Sequence, residues 1–473
     1  MRNYLDFYID GAWVAPMRSR PQDVINPATE QVAGQISLAE AADIDRAVTA
    51  ARRAFRSFGG SSKAERIDLL DAIIAEYKAR SRDLADAVVE EMGAPAALAA
   101  VAHVPLALVH FEIARKILLK FDPSSELGST RLVKEPIGVV GMITPWNWPL
   151  NQIACKVAPA LAVGCTMILK PSEVAPFSGQ IFAEVMHATR VPAGVFNLVN
   201  GDGATAGAAI ASHPDIDMVS FTGSTRGGIE VARSAAATVK RVHQELGGKS
   251  ANIILEDADL PSAVRQGVEA MMVNSGQSCN APSRMLLPAR RMLEAAEIAR
   301  QTIGRQRVGP PSEEVDLGPV VSEVQWSRIQ DLIAKGIQEG ATLVAGGLGR
   351  PDGLNQGYYV RPTVFADVTN NMSIAREEIF GPVLVMIGYD HEEQAIDIAN
   401  DTPYGLAGYV QAGDREHGRA VAMRIRAGQI ALNYAPLDLA APFGGFKQSG
   451  NGREWGEYAF HEFMEVKAIL GYA

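Results

Sequence analysis

From residue 138 onward the chain alternates short apolar strands with helices, and this pattern restricts the fold more than any other feature. Gly138 to Ile143, Thr166 to Leu169, Val195 to Val199 and Met218 to Phe221 read as strands. Helical stretches near 151–163, 176–188, 203–212 and 225–237 separate them. Strands of that length with intervening helices predict a parallel, doubly wound sheet, which binds ligands outside the carboxyl ends of its strands. A second alternation begins after Gly248 with Ala251 to Leu255, and strands are expected at Leu343–Val344, Tyr358 to Val364, Val383 to Ile387 and Gln429 to Leu432. Helices fit near 290–305, 322–339, 391–400 and 414–427. At 473 residues, two or three lobes are expected. Ahead of the alternation, residues 4–36 suggest short strands, with a hairpin turn at Asp10-Gly11. Three helical patterns follow, at 39–58, 64–92 and 96–120. Arg131 to Lys134 is strand-like, and Glu462 to Leu470 alternates with no sequential neighbour, so it is expected to pair with another subunit.

One loop interrupts the second alternation with chemistry. Asn274-Ser275-Gly276-Gln277-Ser278-Cys279-Asn280 runs between a helical pattern, Leu260 to Val273, and a strand-like run, Arg284 to Leu287. Most cysteines are small core hydrophobes. That suits Cys155 and Cys165, which lie in the apolar run Ile153 to Leu169, but not Cys279 with its Gln, Ser and Asn neighbours. A free thiol has a pKa near ~8.5, so a nucleophilic Cys279 needs a base or a favourable dipole nearby. Only three cysteines in so long a chain argue for a reducing compartment and against a disulfide framework. No secretory h-region is seen at the N-terminus, and the apolar run Ala94 to Val109 is broken by Pro95, His103 and Pro105. A cytoplasmic protein is expected. Net charge is −10, with no cluster of Lys and Arg, so neither nucleic acid nor an anionic membrane is an expected partner. No metal site is expected.

Three strand ends offer a nucleotide site. Gly201-Asp202-Gly203-Ala204-Thr205-Ala206 is a G-x-G-x-x-A between a strand and a helix, a modest signal in a chain rich in Gly and Ala. Phe221-Thr222-Gly223-Ser224-Thr225-Arg226-Gly227-Gly228 also opens a helix and offers backbone N–H groups and hydroxyls to a pyrophosphate. Lys170-Pro171-Ser172-Glu173 adds a cation and a carboxylate suited to ribose hydroxyls. The residues by themselves do not decide which turn holds which phosphate.

Seven motifs in order give the chain a family resemblance. They are Pro145-Trp146-Asn147-Trp148-Pro149-Leu150, Lys170-Pro171-Ser172-Glu173, Phe221-Thr222-Gly223-Ser224, Glu245-Leu246-Gly247-Gly248-Lys249, Gly276-Gln277-Ser278-Cys279, Glu378-Ile379-Phe380-Gly381-Pro382, and Pro442-Phe443-Gly444-Gly445 with Ser449-Gly450-Asn451-Gly452-Arg453-Glu454. Along nearly its whole length the chain resembles the aldehyde dehydrogenase superfamily. The resemblance implies that Cys279 is the nucleophile, Glu245 the general base and Asn147 the side-chain donor of the oxyanion hole. It implies Lys170 and Glu173 on the adenosine ribose, Trp146 and Ser224 along the pyrophosphate, and Glu378 on the nicotinamide ribose beside Phe380. Cofactor contacts also fall by resemblance on Ile143, Thr144, Pro145, Ser172, Gly203, Phe221, Gly223 and Leu246, and Lys170 and Glu454 join the catalytic group. The phosphate turn becomes the Phe221–Gly228 one. Three parts are implied: an NAD-binding domain (1–118 and 138–247), a catalytic domain (248–454) and a small β oligomerisation extension (119–137 and 455–473) of a homodimer or homotetramer. Trp148 departs from the family, which commonly has Phe there.

These roles imply a thiohemiacetal on Cys279, hydride transfer to NAD, and a thioester that Glu245 helps water to cleave. NADP is the weaker alternative cofactor because Glu173 would meet its 2′-phosphate. Acyl transfer to coenzyme A is disfavoured by Glu245, since acylating relatives usually lack a carboxylate there. A cofactor-free thiol hydrolase leaves the nucleotide turns unexplained, and an NAD-binding structural protein leaves Cys279, Glu245 and Asn147 unexplained. Trp148, Asn151, Gln152, Ser278, Asn280 and Tyr434 are the expected tunnel residues. None is a cation, which favours a neutral aromatic or aliphatic aldehyde.

Overall fold

The computed structural model describes residues 1–472. Its first lobe is built on an eight-stranded sheet in the order Gly450–Asn451, Arg241–Glu245, Met218–Thr222, Val139–Ile143, Thr166–Lys170, Phe196–Leu198, Phe7–Ile9, Ala12–Val14. The five strands from Arg241–Glu245 to Phe196–Leu198 are parallel, and the flanking ones are antiparallel. Val139–Ile143, Thr166–Lys170 and Met218–Thr222 are buried along their whole length, as strands covered on both faces must be. The chain runs outward from Val139–Ile143 through two neighbours, then returns to its other side with Met218–Thr222. That reversal opens a crevice at the carboxyl ends of these two strands. Helix Pro149–Val163 leaves the first of them with proline in its first turn and ends at Gly164, whose φ of 101° suits only glycine. The Asp10-Gly11 hairpin forms, with φ of 58° and 78° at its two turn residues.

Residues 246–250 alone join Arg241–Glu245 to Ala251–Ile254, the first strand of a second sheet. So short a link sets the carboxyl edge of the first sheet against the amino edge of the second. The second sheet runs Thr342–Ala345, Thr363–Ala366, Val383–Tyr389, Arg284–Pro288, Ala251–Ile254, Ala407–Gln411, Gln429–Leu432, parallel except for its first member. Ala407–Gln411 is paired on both sides, next to the edge strand Gln429–Leu432, yet was not anticipated, because Gly405 and Gly408 dilute its apolar run.

Three expectations need correction. The 64–92 pattern is two helices, Lys63–Ala79 and Ser81–Met92, parted at Arg80. The 96–120 helix forms as expected, and what needs correction is the break assigned to His103 and Pro105. The helical run Ala96–Lys120 is continuous, with a π-turn at Ala99–His103 just ahead of the segment Val104–Lys120, in whose first turn Pro105 falls. That run is long and apolar enough to cross a membrane by length and composition. Its Ala107, Phe111, Ala114 and Leu118 are nevertheless buried in the core of the first lobe. Finally, Met464–Ile469 does find a partner in its own chain. It pairs antiparallel with Thr130–Pro136, which also holds Ser124–Leu127, in a three-stranded sheet. Antiparallel pairing needs no sequence proximity, so a missing sequential neighbour was no sign of a missing partner.

Candidate active site

The crevice between Val139–Ile143 and Met218–Thr222 is lined on one side by the Phe221–Gly228 turn. Ser224 caps helix Thr225–Ala235, its Oγ accepting from the Gly227 N–H at 3.1 Å. The Phe221 ring lies so close beneath that a Cβ on Gly223 or Gly227 would sit 2.6 or 2.9 Å from its Cζ. Glycine is therefore required, and the helix N-terminus is left open to an anion. The rival turn at Gly201 lies beyond an outer strand, its Asp202 capping the π-turn that begins at Gly203. Lys170 is buried, and its Nζ donates to the carbonyls of Pro171 and Gly201 and to Glu173 Oε2 at 3.2 Å. Burial lowers its pKa, which the Glu173 carboxylate partly offsets. Ser172 Oγ accepts from the Val174 N–H at 3.3 Å. Thr144 keeps a buried Oγ1 without a partner, and Ile143 and Leu246 pack with Phe221.

Across the crevice, Glu378 Oε1 accepts from the Gly248 N–H at 2.9 Å. A Cβ on Gly247 would lie 2.2 Å from Glu378 Oε2. Desolvation lifts the Glu378 pKa to about 7. Phe380 stands edge-on to Trp146, ring centres 5.3 Å apart. The cleft enclosed between Pro145, Trp146, Ser224, Leu246, Glu378 and Phe380 measures about 690 Å³ and reaches Cys279.

Cys279 follows three consecutive left-handed residues, Asn274, Ser275 and Gly276, with φ of 56°, 55° and 71°. A Cβ on Gly276 would lie 2.1 Å from the Gly381 carbonyl oxygen. This tight reversal after helix Leu260–Met272 lifts the thiol to the amino edge of the second sheet. The buried Asn147 donates from Nδ2 to the Gln277 carbonyl at 3.1 Å, and Trp148 donates from Nε1 to Ser278 Oγ at 2.8 Å. A second cleft of about 900 Å³ opens on the other side of Cys279, lined by Trp148, Asn151, Gln152, Ser278, Asn280, Tyr409, Leu437, Phe443 and Trp455 among others. Gln152 and Cys279 line both clefts. Burial, then the carboxylates of Glu245, Glu378 and Glu454, push the Cys279 thiol well above its ordinary pKa.

Behind the thiol lies a buried ionic cluster. Lys156 Nζ donates to Glu454 Oε1, and Cys155 Sγ to Glu454 Oε2 at 3.3 Å. His243 lies 4.0 Å from the same carboxylate. Glu245 is buried beside this group with its Oε1 unpartnered. Burial, then the Glu454 charge, raises the Glu245 pKa well above the carboxylate range, whereas Lys156 holds Glu454 low against its own desolvation.

Comparison with known proteins decides the family. The aldehyde dehydrogenase family pattern matches residues 13–469. A 3-succinoylsemialdehyde-pyridine dehydrogenase from a Pseudomonas species is 55% identical over 474 residues, covering 100% of this chain and 99% of the relative. The chain belongs to the aldehyde dehydrogenase family. Aldehyde dehydrogenase C from Pseudomonas syringae, solved with NAD+ and octanal, superposes with a TM-score of 0.98 at 52% identity, covering 99% of this chain and 97% of that one. The Mycobacterium tuberculosis aldehyde dehydrogenase, solved with NAD+, gives 0.96 at 41%, covering 99% and 98%. This aldehyde dehydrogenase is an NAD-dependent enzyme that oxidises aldehydes.

Of the expected tunnel residues, Trp148, Asn151, Gln152, Ser278 and Asn280 line the second cleft, but Tyr434 does not. Its hydroxyl is engaged behind Tyr409, donating to the Ala263 carbonyl and accepting from Asn252 Nδ2, each at 2.8 Å. The sequence reading missed Tyr409, Phe443 and Trp455 as lining. It also missed Lys156, for which a signal existed: a lone cation in the apolar run around Cys155.

Proposed function

We propose that Cys279 forms the thioester intermediate and that Glu245, not a histidine, handles the proton and the water. The supporting observation is the position of Cys279 at the junction of two clefts, one suited to a dinucleotide and one to a neutral aldehyde. The thiol gives its proton to the Glu245 carboxylate, and its sulfur bonds to the aldehyde carbon. Asn147, already oriented by Gln277, and the Cys279 backbone N–H receive the oxyanion; losing such a donor typically costs about 2.7–4 kcal/mol. NAD, when bound, supplies the hydride acceptor that turns this adduct into a thioester. Once the proton taken from the thiol has passed to solvent, the Glu245 carboxylate removes a proton from water, the hydroxide adds to the thioester carbon, and the C–S bond breaks so that sulfur leaves as thiolate and the carboxylic acid forms. Two adjacent carboxyls with proton affinities driven apart suit this split, with Glu454 held anionic by Lys156 and Glu245 kept basic. The cofactor residues fit NAD: the glycines under Ser224 open the helix end to phosphate, and Glu173 and Glu378 accept from ribose hydroxyls.

No charged side chain lines the substrate cleft among the described residues. That favours a neutral aldehyde, either aryl-bearing as the pyridine-based name of the Pseudomonas relative suggests, or aliphatic like octanal. We further read the chain as a cytoplasmic homodimer or homotetramer joined through the exposed strand Met464–Ile469, with the three-part division expected from resemblance. NADH formation with a panel of neutral and carboxylated aldehydes, with and without coenzyme A, tests the proposal. Cys279→Ala should bind NAD but form no NADH, and a coenzyme A requirement would overturn the hydrolytic reading.

A further inference from the structure

No histidine occurs in the seven motifs, yet His103 sits against the catalytic loop. It closes the π-turn Ala99–His103 and is fully buried. A π-turn takes in an extra residue at a cost in helix geometry, and such turns cluster at functional sites. Here it sets the imidazole between two side chains that lead to Cys279. The ring stacks on Trp148 at 4.1 Å, and the Trp148 indole donates to Ser278 Oγ, next to the nucleophile. Its Nε2 lies 3.3 Å from Asn274 Oδ1. Asn274 Nδ2 in turn donates to the Asn147 carbonyl at 2.8 Å and to the Gln277 carbonyl at 3.4 Å.

These contacts assign the protons. Because the Asn274 amide nitrogen faces two carbonyls, its Oδ1 is the acceptor and His103 Nε2 must carry the hydrogen. The ring is neutral, since burial drops its pKa to about 3, and its Nδ1 is buried without a partner. Asn274 itself is held left-handed, a conformation that costs a non-glycine residue energy and persists only where its surroundings impose it.

We propose that His103 is a positioning residue for the acylation half-reaction. Through Asn274 it fixes the Asn147 main chain and the Gln277 carbonyl that orients the Asn147 amide, and through Trp148 it braces Ser278. The oxyanion donor and the thiol are thereby held in register before substrate arrives. This inference rests on the roles proposed above for Asn147 and Cys279.

The test separates the hydrogen bond from the stack. His103→Phe keeps an aromatic face for Trp148 but cannot donate to Asn274. His103→Gln keeps a donor of similar reach. The readout is the rate constant of the first-turnover NADH burst, normalised to titrated Cys279, with thermal midpoint and KM for NAD measured alongside. His103→Phe should slow the burst about 10-fold or more, toward the roughly 10²-fold that a 1 Å misplacement costs, with KM for NAD unchanged. His103→Gln should return most of the rate. A merely structural histidine would lower the thermal midpoint and the number of titratable sites while leaving the burst constant per site unchanged, and that result overturns the proposal. Equal slowing by Phe and Gln overturns it too. Should His103→Phe not fold, Asn274→Asp, which removes both amide donors, is read in the same way. A Cys279→Ala variant that still formed NADH from aldehyde would instead sink the thioester reading, so the two failures are distinct.

Discussion

At the scale of single residues, like charges lie near the thiol proposed as the nucleophile. Glu245, Glu378 and Glu454 all oppose the Cys279 thiolate, after burial itself. The free enzyme should therefore alkylate with iodoacetamide fastest at alkaline pH, and the midpoint should fall when a carboxylate is removed. Glu245→Gln is the variant to compare, because Glu245 is the first of the three charges. An unshifted midpoint would mean that burial alone sets thiol reactivity. Cofactor choice is expected to turn on one side chain. Glu173, held by Lys170 at 3.2 Å, would face the 2′-phosphate of NADP, which carries about −1.5 to −2 charge near neutral pH. The pair lies at a partly wet rim, so the repulsion is discounted to roughly 2–3 kcal/mol, a preference of about 10² for NAD. Measuring kcat/KM for both cofactors in wild type and Glu173→Gln checks this. A ratio unmoved by the substitution would exonerate the carboxylate.

At the scale of elements, two helix caps of similar local construction should behave differently. Ser224 caps Thr225–Ala235 at the cofactor cleft, and Asp259 caps Leu260–Met272 by accepting from the Ser262 N–H at 3.3 Å. Replacing either with alanine removes a cap bond that typically contributes about 1 kcal/mol. Both variants should lose comparable thermal stability, but only Ser224→Ala should also raise the KM for NAD. Equal KM values in the two would show that the Thr225 helix end does not face the pyrophosphate. The Gly247-Gly248 link makes a stronger case at the same scale. A methyl on Gly247 collides with the Glu378 carboxylate, so Gly247→Ala should weaken NAD binding without unfolding either sheet, measurable by fluorescence titration.

At the scale of the whole molecule, the two sheets meet edge to edge, carboxyl ends against amino ends, because only residues 246–250 separate them. The small third sheet ends in Met464–Ile469, five of whose six residues are exposed, with Val466 and Leu470 among the large apolar side chains left uncovered. An unpaired edge of that kind pairs readily with another strand. The proposed homo-oligomer should then weaken on Val466→Glu, seen as a smaller species by light scattering at micromolar concentration. An unchanged mass would move the interface elsewhere.

Strand–helix alternation made both sheets legible in the sequence, since apolar strands buried on both faces read as continuous runs. Cys279 was legible too, because its polar loop stands out between apolar runs, whereas Glu245 and Asn147 were assigned through the family resemblance of their motifs. What stayed hidden needed distance between residues far apart in the chain. Lys156 and Glu454 are separated by 298 residues and His103 and Asn274 by 171, so no local pattern could join them. The position of Tyr434, whose hydroxyl is bonded to Asn252 and Ala263 rather than lining the cleft, was hidden for the same reason: those partners lie 182 and 171 residues away in the chain. Likewise, the self-pairing of Met464–Ile469 with Thr130–Pro136 joins strands more than three hundred residues apart. Backbone preference and burial pattern are local and therefore written in the sequence. Hydrogen-bond partners, charge coupling and strand register across the molecule exist only once the chain has closed on itself.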